Sequence, residues 1–189
     1  MKKIFSLAGV MALAFSSLTV FAQDSTKMNN SMSNQTKTED KSKRPSPPAN
    51  AMETVNGKMI MIDYSSPSVK GRTIGKDVEP MVGKVWRGGA NEATVFQTDK
   101  DVTIEGKPLP AGKYALYFLN NGSDWTIIFN KKWDQWGTMY DKYKDQDALK
   151  VTVPAAKTSS FAEHLNYTIS KDGLVSLNWG DTQINFHVN

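Results

Sequence analysis

Within ten residues, Val85-Trp86-Arg87-Gly88-Gly89-Ala90-Asn91-Glu92-Ala93-Thr94, the chain sets a Trp, an Arg, a Gly pair, an Asn and a Glu close together, with no helical or strand periodicity before Ala93. Folding alone does not call for that mixture, so this stretch is the candidate site. Arg72 and Arg87 near the Glu92 carboxylate suit bidentate hydrogen bonding to a small anionic or hydroxyl-rich ligand. The alternative is an Arg87–Glu92 ion pair that ties an irregular loop to its scaffold. Gly88-Gly89 permits positive backbone dihedrals, but no helix pattern and no Lys-Ser/Thr follows, so it reads as a tight turn and not as a phosphate loop. Asn91 suits the satisfaction of loop backbone groups.

Trp86, Trp133 and Trp136, with Asp134 and Gln135 between the last two, can form a stacking platform for carbohydrate; the alternative is core or rim packing. His164 and His187 fall at separate positions on a polar strand face, so no shared metal is expected, and no motif calls for a cofactor. No Ser/His/acid constellation can be assembled. Glu92 and Asp134 are a formal carboxylate pair for hydrolysis, without support from their spacing.

The elements that must hold this loop read as strands. Leu165, Tyr167 and Ile169, then Val175, Leu177 and Trp179, then Ile184, Phe186 and Val188 alternate with polar residues. A Lys171-Asp172-Gly173 loop would pair Ile169 with Val175 and Tyr167 with Leu177. A Gly180-Asp181 turn would set Leu177 against Ile184 and Val175 against Phe186. Asn121-Gly122 marks a second hairpin, with Phe118 opposite Trp125, Leu116 opposite Ile127 and Tyr114 opposite Phe129. Ala115, Tyr117 and Ile128 are apolar on its other face, so the hairpin should be central, with that face partly covered. Lys58–Tyr64, Ala93–Thr98, Asp101–Glu105 and Leu149–Val153 are weaker strands, and Thr138–Ala148 is the best, still polar, helical stretch. Roughly nine short strands with tight turns predict an all-β, antiparallel two-sheet sandwich, jelly-roll-like, after a disordered amino-terminal segment.

Residues 1–22 combine Lys2 and Lys3, an apolar run and a Val20-Phe21-Ala22 end, the pattern of a secretory signal cleaved after Ala22. No stable membrane anchor should remain. Residues 23–49 are polar and end in Arg44-Pro45-Ser46-Pro47-Pro48, which predicts a disordered linker before a single domain at 50–189. The chain has no Cys, which excludes disulfides and thiolate metal sites. Of 23 Lys and Arg, two lie in the leader, leaving 21 against 19 acidic side chains. That balance argues against nucleic acid.

Asp63-Tyr64-Ser65-Ser66-Pro67-Ser68-Val69-Lys70-Gly71-Arg72, Val85-Trp86-Arg87, Asn91-Glu92-Ala93-Thr94, Leu109-Pro110-Ala111-Gly112-Lys113-Tyr114 and Trp125-Thr126-Ile127-Ile128-Phe129-Asn130 together resemble the bacterial exported family called domain of unknown function 2911. Trp133-Asp134-Gln135-Trp136-Gly137 and a late Trp179 strand fit as well. The chain departs from the family pattern at Ile74 to Gly83 and has Gly88 where Thr is usual. The resemblance implies fold and export and carries no assigned activity. On the residues, the expectation is a non-catalytic binding or envelope-associated module, for carbohydrate or a small anion, through Arg72, Trp86, Arg87, Asn91, Glu92, Trp133 and Trp136. A hydrolase using Glu92 as acid or base, and a purely structural protein, are the alternatives.

Overall fold

The structure, a computed structural model, describes residues 39–189. The expected leader, and the expected linker up to residue 38, lie outside the described residues. Strands dominate: β1 (Pro48–Val55), β2 (Lys58–Ser65), β3 (Val85–Trp86), β4 (Thr94–Thr98), β5 (Val102–Ile104), β6 (Lys107–Leu109), β7 (Gly112–Asn120), β8 (Asp124–Asn130), β9 (Asp147–Pro154), β10 (Ala156–Ile169) and β11 (Leu174–His187). One helical turn, α1 (Tyr140–Tyr143), and 3-10 turns at Lys41–Lys43 and Lys144–Gln146 complete the described elements.

The main sheet is antiparallel, ordered β1-β2-β4-β7-β8-β9, with β3 also paired to β7. β10 and β11 form a second, two-stranded layer over one of its faces, and β5 and β6 a small hairpin. Strand alternation explains this arrangement. Ile60 and Ile62, Leu116 and Phe118, and Ile127 and Phe129 turn one way, and Leu165, Val175, Leu177, Ile184 and Phe186 of the second layer meet them, all fully buried. Phe129 stands edge-on to both Phe96 and Phe186, stitching the layers together. Each such side chain contributes about 1.5–3 kcal/mol of hydrophobic stabilisation. On the opposite face of the main sheet, Ala93, Ala115, Tyr117 and Ile128 form a second buried cluster, packed by Val85 and Tyr140. The cover expected for that face is therefore present, and the polar 138–148 stretch supplies it through α1.

Register agrees with expectation at one hairpin and differs at two. Tyr167 opposes Leu177 and Ile169 opposes Val175, as the Lys171–Gly173 loop requires. In the Asn121 hairpin, Leu116 opposes Phe129, Phe118 opposes Ile127 and Asn120 opposes Trp125, two residues from the expected pairing. The loop is longer than two residues because the Asn120 side chain accepts from Gly122 N and Asn121 N donates to Asp124 O. A slip of two leaves each side chain on its expected face.

The expected turn at Gly180-Asp181 does not form, nor do its Leu177–Ile184 and Val175–Phe186 pairs. β11 runs on through Gly180, which takes φ +59 and shifts the alternation so that Trp179 and Ile184 both face the core. Its partner there is the first half of β10, whose Lys157-Thr158-Ser159-Ser160 run shows no apolar alternation. The expected linker end at residue 49 falls inside β1. Pro48 is tolerated because β1 is an edge strand and needs no donor on its open side.

Candidate functional site

β3 and β4 lie along the same side of β7. Trp86 opposes Phe118 and Thr94 opposes Leu116, so residues 87–93 leave and rejoin one strand lane opposite a single residue, Tyr117. The distinctive loop is thus an excursion from the middle of the main sheet. Its backbone is well tied. Gly88 O accepts from Tyr167 Oη at 2.8 Å, Ala90 N donates to Ser65 O at 3.2 Å and Ala93 N to Gln135 O at 3.0 Å. Asn91 sits at φ +60, accepts Gly137 N on its carbonyl, and donates from Nδ2 to Ser46 O at 3.0 Å.

Arg87 and Glu92 do not pair. Glu92 accepts from Arg44 Nη1 at 2.7 Å and from Lys41 Nζ at 2.9 Å. Arg44 in turn grips Glu39 through Nε at 2.8 Å and Nη2 at 2.6 Å, and its side chain is only 14% exposed. Residues 39–47, expected within the linker, therefore form a strap across the loop. A single exposed ion pair contributes little, but a four-residue network around a largely covered Arg holds a segment in place. Partial burial opposes ionisation of Glu92, yet the hydrogen bonds from Lys41 and Arg44 together outweigh it and hold the carboxyl down at about 2.

The folded carboxyl is depressed below its ordinary value of 4.5, so its contribution to strap docking is complete above about 4.5 and is lost as pH falls towards about 2. Amide hydrogen exchange within 39–47, corrected for its intrinsic pH dependence, should accelerate across that window. At neutral pH, Glu92→Gln should make trypsin cut after Lys41 and Lys43 several-fold faster, because the open state of the strap is more populated. Unchanged cleavage would mean that the network does not hold the strap.

Arg87 is left with no ion pair and no hydrogen bond to any described residue, and its Nε is buried without an acceptor. Its stem lies over Gly137, where an added Cβ would overlap Arg87 Cδ. Burial lowers the guanidinium pKa, and Glu79 and Tyr117 partly offset this. The Tyr117 hydroxyl beside it is also buried without a partner among the described residues and is pushed up to about 12, chiefly by desolvation.

Arg87 lines a cavity of about 350 Å³ with Arg72, Asp77 and Glu79, against Trp86 and Trp179. Such a volume lies within the range of roughly 300–1,000 Å³ usual for small-molecule sites. Arg72 is oriented by donating from Nη2 to Ser68 O at 2.6 Å and from Nε to Val69 O at 3.0 Å. Asp77 Oδ2 accepts from Thr73 N and Glu79 Oε2 from Met81 N, both at 2.8 Å, so each carboxylate keeps one oxygen without a described donor. Trp179 Nε1 donates to Glu79 O at 2.9 Å, fixing the acidic segment to β11.

Of the expected site residues, Arg72, Trp86 and Arg87 meet in this cavity. Asn91 and Glu92 face the strap and do not line it. The three-Trp platform does not form: Trp86 is 4% exposed and tilted against Phe118, whereas Trp133 and Trp136 are exposed outside the cavity. Lys113 Nζ caps the Trp133 ring at 4.8 Å, and Trp136 pairs its backbone with Glu92. Asp77, Glu79 and Trp179 escaped sequence reading. Trp179 looks like any inward strand residue, and Asp77 and Glu79 lie in an irregular run without periodicity. His164 contacts Ser68 and His187 lies near Glu105, and no metal-type cluster occurs among the described residues.

A family model described as "Protein of unknown function (DUF2911)" matches residues 46–188. The chain belongs to this family. Neither a curated protein nor a solved structure matches it. The DUF2911 match begins at Ser46, whose carbonyl holds Asn91 and which borders the cavity, and it spans all of the strands. Gly88 takes φ +61, and an added Cβ would overlap the Tyr167 hydroxyl and the Phe118 ring. Here the loop has no room for a side chain.

Proposed function

We propose that this DUF2911 protein is an exported, non-catalytic binding module that takes a small carboxylated, hydroxyl-rich ligand, an acidic sugar in chemical class, in the cavity at Trp86 and Trp179. The observation that carries the reading is Arg87, a partly buried guanidinium with no acceptor among the described residues. Desolvating a charge without a partner is costly, and an incoming carboxylate removes that cost with two parallel charge-assisted hydrogen bonds. Arg72 adds a second positive charge, the Asp77 and Glu79 oxygens without a described donor accept from sugar hydroxyls, and Trp86 and Trp179 supply an apolar wall. Export rests on the leader pattern at 1–22.

The hydrolase reading with Glu92 is not favoured. Its carboxylate is turned to Lys41 and Arg44, lies outside the cavity, and stays ionised far below neutral pH, which suits neither proton donation nor poised proton abstraction. The purely structural reading gives no reason why Arg87 lacks a partner among the described residues.

Calorimetric titration with glucuronate, galacturonate and glucose is the test. The expected result is binding of a uronate at least about tenfold tighter than glucose. Absence of binding by both uronates, or equal binding of glucose, overturns the reading. Protein recovered from the periplasm or medium should begin at Gln23; retention inside the cell with Met1 overturns the export part alone.

A further inference from the structure

We infer that the outer face of β10 and β11 is a second binding site, built for a neutral, hydroxyl-rich glycan chain. It is separate from the Arg87 cavity and does not depend on the ligand proposed there. Lys157 opposes Thr182, Ala162 opposes Gly180 and Asn166 opposes Asn178, so β10 takes nine steps, 157 to 166, where β11 takes four, 182 to 178. The surplus chain bows away from its partner, as bulged strands do. Thr158 Oγ1 pins the bow by donating to Gly180 O at 3.0 Å. Beneath it lies a hollow of about 390 Å³ lined by Ser159, Ser160, Phe161, Asn166, Asn178 and Gln183, with no ionisable side chain among its lining residues.

The amides form a directed ladder. Asn185 Nδ2 donates to Gln183 Oε1 at 3.0 Å, Gln183 Nε2 to Asn178 Oδ1 at 2.9 Å, Asn178 Nδ2 to Asn166 Oδ1 at 3.0 Å, and Asn166 Nδ2 to His164 O at 3.1 Å. An amide offers two donors and two acceptor lone pairs. Asn166, Asn178 and Gln183 each use one of each kind within the ladder and keep one of each for a ligand. Asn185 Oδ1, at the head of the ladder, is buried without a donor among the described residues.

A hydroxyl is both donor and acceptor, so a row of sugar hydroxyls matches this row of half-used amides. A carboxylate or phosphate accepts only and would confront the unused carbonyl oxygens, which is why the ligand class is neutral. Phe161, 54% exposed, supplies the flat apolar surface against which sugar C–H groups rest. The ladder holds its side chains in one arrangement before any ligand arrives, which lowers the entropy cost of binding.

The test is titration of the full chain with neutral hexaoses (cello-, malto-, xylo- and manno-hexaose) and with oligogalacturonate, for wild type, Phe161→Ala and Asn178→Ala. At least one neutral hexaose should bind, and each substitution should weaken it about tenfold or more. Phe161→Ala should leave the thermal midpoint unchanged, since the ring is exposed, so it remains decisive should Asn178→Ala fold poorly. The site is overturned if no neutral hexaose binds, if binding is indifferent to Phe161→Ala, or if only the charged oligomer depends on these residues. Uronate binding at Arg87 should survive Phe161→Ala, so failure of one site does not imply failure of the other.

Discussion

Gly88→Thr lowers the thermal midpoint by roughly 5–20 °C, and Gly88→Ala by most of that amount. A non-glycine residue at φ +61 costs about 1–2 kcal/mol, and forcing atoms into a packed core adds about 1–3 kcal/mol. The added Cβ would drive into the Tyr167 hydroxyl, which donates to Gly88 O, and into Phe118, which opposes Trp86 in the sheet. Neither neighbour can retreat: Phe118 is fully buried and Tyr167 is 4% exposed. Gly106→Ala separates strain from crowding, because Gly106 has φ +77 but open space around its Cα. It should lose only the strain part. Calorimetry on the three variants is the measurement, and a Gly88→Thr midpoint equal to that of Gly106→Ala would mean that the loop moves aside and the core contact is unimportant.

Arg87→Met weakens uronate binding roughly 10- to 100-fold while leaving the midpoint unchanged or raised. The guanidinium makes no ion pair or hydrogen bond with the described residues, so its removal breaks nothing polar, and the Met chain keeps the apolar stem over Gly137. Charge-assisted hydrogen bonds contribute about 1.5–3 kcal/mol, which translates to a loss in affinity of roughly 10- to 100-fold. Arg87→Lys should recover only part of it, since a point charge does not reproduce the planar fork. A fall of several degrees for Arg87→Met, with no change in uronate affinity, would show Arg87 to be a structural clasp.

The candidate loop was visible because its composition fits no periodic element, yet its charged residues could not be assigned partners. Arg87 and Glu92 are five residues apart, and a pair between them is the economical reading of the sequence. The sheet decides otherwise. Residues 87–93 bow out opposite Tyr117, which sends Arg87 to the cavity and Glu92 to a strap drawn from a stretch too polar to read as folded. Arg44 is the residue most easily overlooked, because nothing in a Lys-, Ser- and Pro-rich run marks one cation as covered.

What the sequence determined by itself was local. Alternation with a period of two assigned side chains to faces, and so determined the all-β class, the two buried faces of β7 and the inward set of the second layer. That information survives a two-residue slip, which is why the Asn121 hairpin keeps its faces despite a different register. It does not survive a bulge, which changes phase in mid-strand, and so Gly180 in the sequence reads as a turn. The cavity belongs to the tertiary structure alone. Asp77 and Glu79 meet Trp179 across about a hundred residues of chain, through Trp179 Nε1 and Glu79 O. Ion-pair partners and cavity walls depend on distances between residues remote in sequence, and only the stacking of the two layers sets those distances.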